Sequence, residues 1–397
     1  MVQFSACSRM SREGPLRLLL LGSQMAAGGA QHILLAQATW FRNQGYHVAA
    51  AFFYDKECVH TQWQARYAID IIDLKGWRAG AGITSNLLRL LCAIYRLVRL
   101  ISRERFDAVE TFTHHANLLG LPIAWFLRVP KRVGTHHGRP HMGPGLDRLH
   151  TYLANANVMT HLVVVSEHLR EEAIGIERIR PEKVSVIANG IDGYGWDPAV
   201  QSAARRIRSE LKVPISGRLV LSVGRLIPEK GHMHLIEAMP AVLERFPDTI
   251  VVIAGDGPLR DALQRRAHEL TLGNNVRLLG TRSDVHCLLA AADLFAYPSV
   301  RDGCPLALLE ALSMQVPIVA STFEGAMGVL EHEKTALLVP AGDTKAFAAA
   351  LVRALGSPEL RRELALAGAN LVVRKFSMRT MCQRYDQLFR APSTIPA

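Results

Sequence analysis

The chain is 397 residues long, 49% hydrophobic and 20% charged, with a formal net charge of +11. That length exceeds one ordinary core and predicts two domains of about 150–200 residues each. No run of about 18 apolar residues occurs, which excludes a bilayer-spanning helix, and the first 16 residues lack the apolar stretch of a signal peptide. Six scattered cysteines, with no CxxC and no Cys/His pairing at metal spacing, predict a reduced, cytoplasmic protein without a structural zinc. Residues 1–160 carry 18 Lys and Arg against 9 Asp and Glu. A basic first half predicts an anionic partner such as phosphates or a membrane surface. Nucleic acid is disfavoured, because the arginines are neither interleaved with aromatics nor set in a binding motif.

In chain order, strand-like runs fall at 16–22, 47–53, 108–112, 131–137, 161–166 and 183–189, then at 218–224, 249–255, 276–280, 293–299 and 317–321. Helical stretches separate them. Continuous apolar strands alternating with helices predict parallel sheets covered on both faces, and two series predict two doubly wound domains. The polar, Gly- and Pro-punctuated stretch 190–215 marks the break, giving domains 1–195 and 196–375. Helix 376–390 lies beyond the last strand and is expected to pack back on the first domain.

Ligands of open parallel sheets sit beyond the carboxyl ends of the strands, so the turns there carry the functional signal. Gly28 and Gly29 follow the first strand and open a helix; they read either as a flexible turn or as backbone that approaches an anion. His114 and His115 follow 108–112, while His136, His137 and Arg139 follow 131–135. These histidines are candidates for contact with a sugar hydroxyl or phosphate, or for acid–base work near neutral pH. Metal binding is disfavoured, for want of a nearby carboxylate or Cys ligand. After 218–224 come Arg225 and Lys230, with Gly231 opening a helix: two cations at a helix start suit a diphosphate. Asp256 reads as a helix cap.

The stretch "SVRDGCPLALLEAL" (299–312) sets Asp302 on a loop, starts a helix at Pro305 and places Glu310 on the face of Leu306. One carboxylate can accept the paired hydroxyls of a ribose and the other the hydroxyls of a sugar, while N–H groups of Gly303, Cys304 and Leu306 face a phosphate. Spacing alone equally allows a cap and a surface acid.

In this order, "VIANGID" (186–192), "SVGRLIPEKG" (222–231), "AGDGPLR" (254–260), "RDGCPLALLEALSMQVPIVAS" (301–321) and "LLVPAGD" (337–343) resemble the retaining glycosyltransferases of family 4. The resemblance runs from "GGAQHILLAQATWFRNQGYHV" to "FSMRTMCQRYDQLFR". It implies the GT-B fold, in which two Rossmann-like doubly wound parallel-sheet domains face a central cleft. It implies a nucleotide-diphospho-sugar such as a UDP-sugar as donor, held mainly by the second domain, and an acceptor held mainly by the basic first domain. By the same resemblance Arg225, Lys230, Gly28, Gly29, Cys304 and Leu306 serve the donor diphosphate, and Glu310 binds the ribose. Asp302 meets the transferred sugar, and His114 or His115 approaches the reacting centre. Thr281, Arg282 and Val285 lie against the base; His136, His137 and Arg139 are the acceptor candidates. Two departures are Asp302, where the family has Glu, and Gly328, where an acid commonly stands. They keep open a non-catalytic nucleotide-sugar-binding subunit, and an epimerase of the same fold is a further alternative.

No DxD triplet occurs, so no metal and no cofactor is expected at the diphosphate, whose charge Arg225, Lys230 and helix N-termini would stabilise on departure. Within 86–105, Arg89, Arg96, Arg99 and Arg103 span about 80° of a helical wheel with Leu and Ile opposite. This reads either as a core helix with a solvated basic face or as a helix resting on anionic lipid. The expected setting is lipopolysaccharide or polysaccharide biosynthesis, on a surface glycan or lipid-linked saccharide, at the cytoplasmic face of the membrane.

Overall fold

Strong apolar runs such as "RLLLLG" and "IVVIA" supply backbone that must be hydrogen-bonded on both sides once it is buried, and a central parallel sheet does this. The computed structural model describes residues 15–26, 28–138, 142–193, 197–302 and 305–392. The chain divides into two compact units. One comprises the chain to Val165, Leu169–Ile187 and the segment from Cys382 onward; the other comprises Ala188–Met381 with Ser166–His168.

The first unit holds seven parallel strands: β1 (Arg17–Met25), β2 (His47–Asp55), β3 (Ile71–Asp73), β4 (Ala108–Phe112), β5 (Lys131–His136), β6 (His161–Val164) and β7 (Val184–Val186), in the order β3-β2-β1-β4-β5-β6-β7. The middle of this sheet is fully buried: Leu19, Leu20 and Leu21 of β1, Val109 of β4 and Leu162 of β6 are all at 0% exposure. The helix Met378–Arg390 contributes Tyr385 and Phe389 to this unit. Phe389 packs on Phe41, and Tyr46 Oη donates to Asp386 at 2.6 Å. Tyr385 hydrogen-bonds the buried carboxyl of Glu110 on β4, which also accepts from Gln37 Nε2 at 2.6 Å. Burial pushes the Glu110 carboxyl up to about 8, so it is neutral over most of the physiological range.

The second unit holds β8 (Leu219–Val223), β9 (Ile250–Ala254), β10 (Val276–Gly280), β11 (Leu294–Tyr297), β12 (Ile318–Thr322) and β13 (Leu337–Pro340), in the order β10-β9-β8-β11-β12-β13. Its core packs Leu235, Met239 and Val242 of one helix with Phe347 and Leu351 of another against Val220, Val251 and Val319 of the sheet. The motif "NGI" has a structural cause: Ile191 exchanges backbone hydrogen bonds with Phe376 and Met378, at 2.9 Å each. A Cβ on Gly190 would stand 2.6 Å from the Ser377 carbonyl.

Two strands escape the sequence reading. β3 is three residues long, too short for periodicity, and β13 follows a polar turn with only "LLVP" to announce it. Asp256 is not a helix cap: its Oδ1 accepts from Gly257 N at 2.7 Å, and the helix Arg260–Glu269 begins after Leu259.

Candidate functional site

In each sheet the strand order reverses at one place, between β1 and β4 in the first and between β8 and β11 in the second. Connections leave such neighbours in opposite directions, so a crevice opens beyond their carboxyl ends. Most of the candidate residues follow these four strands, and the others follow β5 and β10.

In the second unit, β8 ends in Gly224-Arg225 and the turn Pro228–Lys230 leads into Gly231. Gly231 has φ +63°, and a Cβ there would meet the Pro298 carbonyl at 2.0 Å, so only glycine lets this turn close against the end of β11. Val300 N donates to the Glu229 carbonyl at 2.9 Å and fixes the two loops together. Lys230 Nζ consequently donates to Tyr297 Oη at 3.1 Å and pairs with Asp302 Oδ2, to which Tyr297 Oη also donates. Arg225, on the same turn, is exposed. Beneath the loop His232 is 3% exposed, its Nδ1 3.3 Å from Ser222 Oγ. Burial, then the Lys230 charge, pulls the His232 imidazole down to about 4, so it is neutral at pH 7.

Leu306 is the first residue of the helix Leu306–Ser313, whose start has no side-chain cap, and Glu310 lies half-buried one turn on. Beyond β10, Thr281 is exposed and Val285 begins the helix Val285–Ala291. Arg282 is held by neighbouring carboxylates. Both arms of its fork meet Asp284 at 2.8 Å, and Glu210 takes a third bond at 3.3 Å. These carboxylates hold the guanidinium pKa above its ordinary value and clamp the side chain onto its own loop.

In the first unit, Gly28 and Gly29 open the helix Gly29–Asn43, which has no side-chain cap and no acid in its first turn. His114 and His115 open the helix His114–Phe126 after β4. His115 is exposed, whereas the His114 ring lies 4.3 Å from that of His136 and 5.4 Å from that of His150. His136 is an interior side chain, 1% exposed. Its Nε2 is 3.3 Å from His150 Nε2, and its Nδ1 is 3.8 Å from Glu177 Oε1. His137 stacks on Phe112 at 5.7 Å, and neither of its ring nitrogens has a hydrogen-bond partner among the described residues. Burial lowers the imidazoles of His136, His137 and His150, the latter two to about 4.

Comparison with known proteins decides what these two switch points belong to. Residues 27–193 match Glycosyltransferase Family 4 and residues 186–370 match Glycosyl transferases group 1. The chain is 30% identical over 281 residues to the UDP-Gal:alpha-D-GlcNAc-diphosphoundecaprenol alpha-1,3-galactosyltransferase of Escherichia coli, covering 68% of this chain and 71% of that one. The chain belongs to glycosyltransferase family 4. A second relative of this glycosyltransferase is the lipopolysaccharide core biosynthesis glycosyltransferase LpsD of Rhizobium meliloti, 32% identical over 46% of this chain and 52% of that one. Among solved structures, Anabaena HepE in complex with UDP and glucose superposes with a TM-score of 0.82 at 22% identity, covering 95% of this chain and 100% of that one. WaaG, a glycosyltransferase involved in lipopolysaccharide biosynthesis, gives 0.71 at 17% identity over 94% and 100%. The fold is GT-B.

For the glycosyltransferase, the structure thus joins Lys230 and Asp302, which the sequence separates by a whole βαβ unit and more. Cys304, Gly303 and Arg139 lie outside the described residues. Tyr297, His232, Asn117, His150 and Glu177 were not singled out by sequence. Tyr297 read only as strand filler, and Glu177 sits in a polar stretch with no motif around it.

Proposed function

We propose that this glycosyltransferase moves a sugar from a UDP-sugar to a hydroxyl of a lipid-linked saccharide or surface-glycan precursor, with retention of anomeric configuration and without a metal at the diphosphate. The observation that carries this reading is the Lys230–Asp302–Tyr297 cluster at the second switch point, with Arg225 exposed on the turn after β8. Arg225 and Lys230 take the diphosphate, whose charge grows as the sugar–phosphate bond breaks, and Tyr297 and Asp302 fix the ammonium in place beforehand. Glu310 accepts the two ribose hydroxyls, and Asp302 also meets the transferred sugar. Gly28 and Gly29 bring backbone N–H groups to the phosphate region. His114 approaches the reacting sugar, its ring held by packing against His136, whereas His115 is unconstrained. The relatives support the donor and acceptor classes by what their own names state.

The helix Ile83–Glu104 suits such an acceptor. Asn86, Ala93, Leu97 and Ile101 face the interior, while Ile83, Leu87, Leu91 and Tyr95, four residues apart, form an exposed apolar stripe. Arg96, Arg99 and Arg103 are exposed next to it. An apolar stripe flanked by cations is the pattern of a helix resting on anionic lipid. No helix among the described residues is long and apolar enough to cross a membrane.

The test is donor hydrolysis and thermal stabilisation measured with a panel of UDP-, GDP- and ADP-sugars. Stabilisation and slow hydrolysis with UDP-sugars, both abolished by Glu310→Ala, are expected. Unchanged UDP affinity in Glu310→Ala would overturn the assigned donor site.

A further inference from the structure

The helix Ile83–Glu104 ends at a cavity that neither the donor site nor the apolar stripe uses. Ile101, Ser102, Arg105 and Phe106 from this end meet Arg128 and Val129, which follow the helix His114–Phe126, around a volume of about 270 Å³. We propose that this cavity binds the phosphate headgroup of an anionic phospholipid. Such a site deepens the reading of the helix Ile83–Glu104 as a lipid-contacting element, on which it rests.

The floor of the cavity is apolar: Ile101 and Phe106 are 2% exposed and Val129 is 3% exposed. Its rim is polar, with Ser102, Arg105 and Arg128 all exposed. Neither guanidinium has a hydrogen bond or an ion pair among the described residues. The backbone that carries them is nevertheless fixed. Both arginines follow a helix end in the left-handed region, at φ +51° and +57°. Their N–H groups donate to the Ile101 carbonyl at 3.0 Å and to the Trp125 carbonyl at 2.9 Å. The neighbouring acceptors that would repel an anion are already engaged. Glu104 Oε2 takes Arg17 Nη2 at 2.6 Å, Asp107 Oδ2 takes the Arg17 N–H at 2.8 Å, and the Val129 carbonyl takes Arg132 Nη1. Two unopposed guanidiniums and a hydroxyl form a donor set for phosphate, and the apolar floor can cover the carbon attached to it.

Position favours a lipid over a free phosphate. Ser102 stands seven residues after Tyr95, two helical turns, and so lies on the face of the exposed stripe Ile83, Leu87, Leu91 and Tyr95, about 10 Å beyond its end. Arg99 and Arg103 are exposed alongside. A surface that takes the stripe into its acyl chains therefore brings headgroup phosphates to Ser102, Arg105 and Arg128. The cavity is smaller than pockets that enclose a drug-sized ligand, and it suits a headgroup rather than a nucleotide-sugar. It lies in the first unit, whereas the diphosphate cations Arg225 and Lys230 lie in the second.

The full-length protein is titrated by calorimetry with dihexanoylphosphatidylglycerol below its critical micelle concentration, and in parallel with dihexanoylphosphatidylcholine and inorganic phosphate. One phosphatidylglycerol per chain is expected, with the other two bound about tenfold more weakly or worse. Replacing Arg105→Gln and Arg128→Gln together should weaken phosphatidylglycerol binding at least about tenfold and leave stabilisation by UDP-sugars at the wild-type level. Gln suits this backbone, since Gln315 already holds φ +54° in the same chain. Wild-type affinity in the folded double variant would overturn the site, and inorganic phosphate bound as tightly as phosphatidylglycerol would overturn the lipid assignment. Sedimentation with phosphatidylglycerol vesicles separates this site from the reading of the helix. Short-chain lipid bound by a protein that does not sediment would remove only the membrane reading and leave the headgroup site standing. Sedimentation without uptake of the short-chain lipid would overturn only the headgroup site.

Discussion

Two neighbouring strand pairs of this glycosyltransferase, β8 with β11 and β4 with β5, end in opposite materials. At β8 and β11 the groups are charged and within reach of solvent: Arg225 is exposed, and the Lys230 and Asp302 side chains are 17% and 14% exposed. At β4 and β5 the groups are imidazoles, and burial holds His136, His137 and His150 neutral. The difference teaches what each end is suited to hold. Cations within reach of solvent suit an anionic ligand, whereas interior imidazoles offer lone pairs and packing instead of charge.

The contrast can be broken most sharply at the charged end. Lys230→Ala removes the cation that Tyr297 and Asp302 hold in place, and should lower kcat for sugar transfer about 10²–10³-fold. A loss of less than tenfold in steady-state turnover would mean that the diphosphate is held elsewhere. At the imidazole end, His114→Ala should cost at least about 10²-fold in kcat, while His115→Ala should stay close to wild type. The reverse ranking would move the reacting centre to the exposed histidine.

A smaller effect is expected on the face of the first unit. Replacing Arg99 and Arg103 together by Gln removes about 1 kcal/mol per arginine near an anionic surface. Sedimentation with phosphatidylglycerol vesicles should then fall about 30-fold at low salt, and binding to neutral vesicles should not change. Equal loss on both vesicle types would show a folding defect rather than a lost charge contact.

The smallest effect is in the pH dependence of stability. The Glu110 carboxyl is raised from 4.5 to about 8, so its contribution is complete below about 4.5 and is lost as pH rises through about 8. His137 and His161 are lowered from 6.5 to about 4, so their contribution is present above 6.5 and is lost as pH falls through about 4. The Tm should therefore climb from pH 4 to about 6.5 and decline towards pH 8. Glu110→Gln should flatten the upper limb alone; a slope unchanged by that substitution would place its cause outside the Gln37–Glu110–Tyr385 cluster.

Much of this was legible in the residues. Largely apolar runs alternating with helical stretches located eleven strands, because burial on both faces favours continuous apolar sequence. The turn motifs brought Arg225, Lys230, Asp302 and Glu310 into view, because a diphosphate and a ribose need cations and carboxylates at strand ends. β3 and β13 escaped because three or four residues carry no periodicity. The surroundings of Arg282 and His136 were not legible because partners such as Glu210 and Glu177 lie far away in the chain, and only the fold brings them together.

By itself the sequence determined two series of parallel strands, the cationic turn after β8 and the acids of the 299–312 stretch, since local pattern and composition suffice for these. Only the tertiary structure decided that Tyr297 and Asp302 grip Lys230, and that Glu177 faces His136 and His150. Such pairings depend on which strands become neighbours at a switch point, and that choice is made by burial summed over a whole unit rather than by any local run of residues.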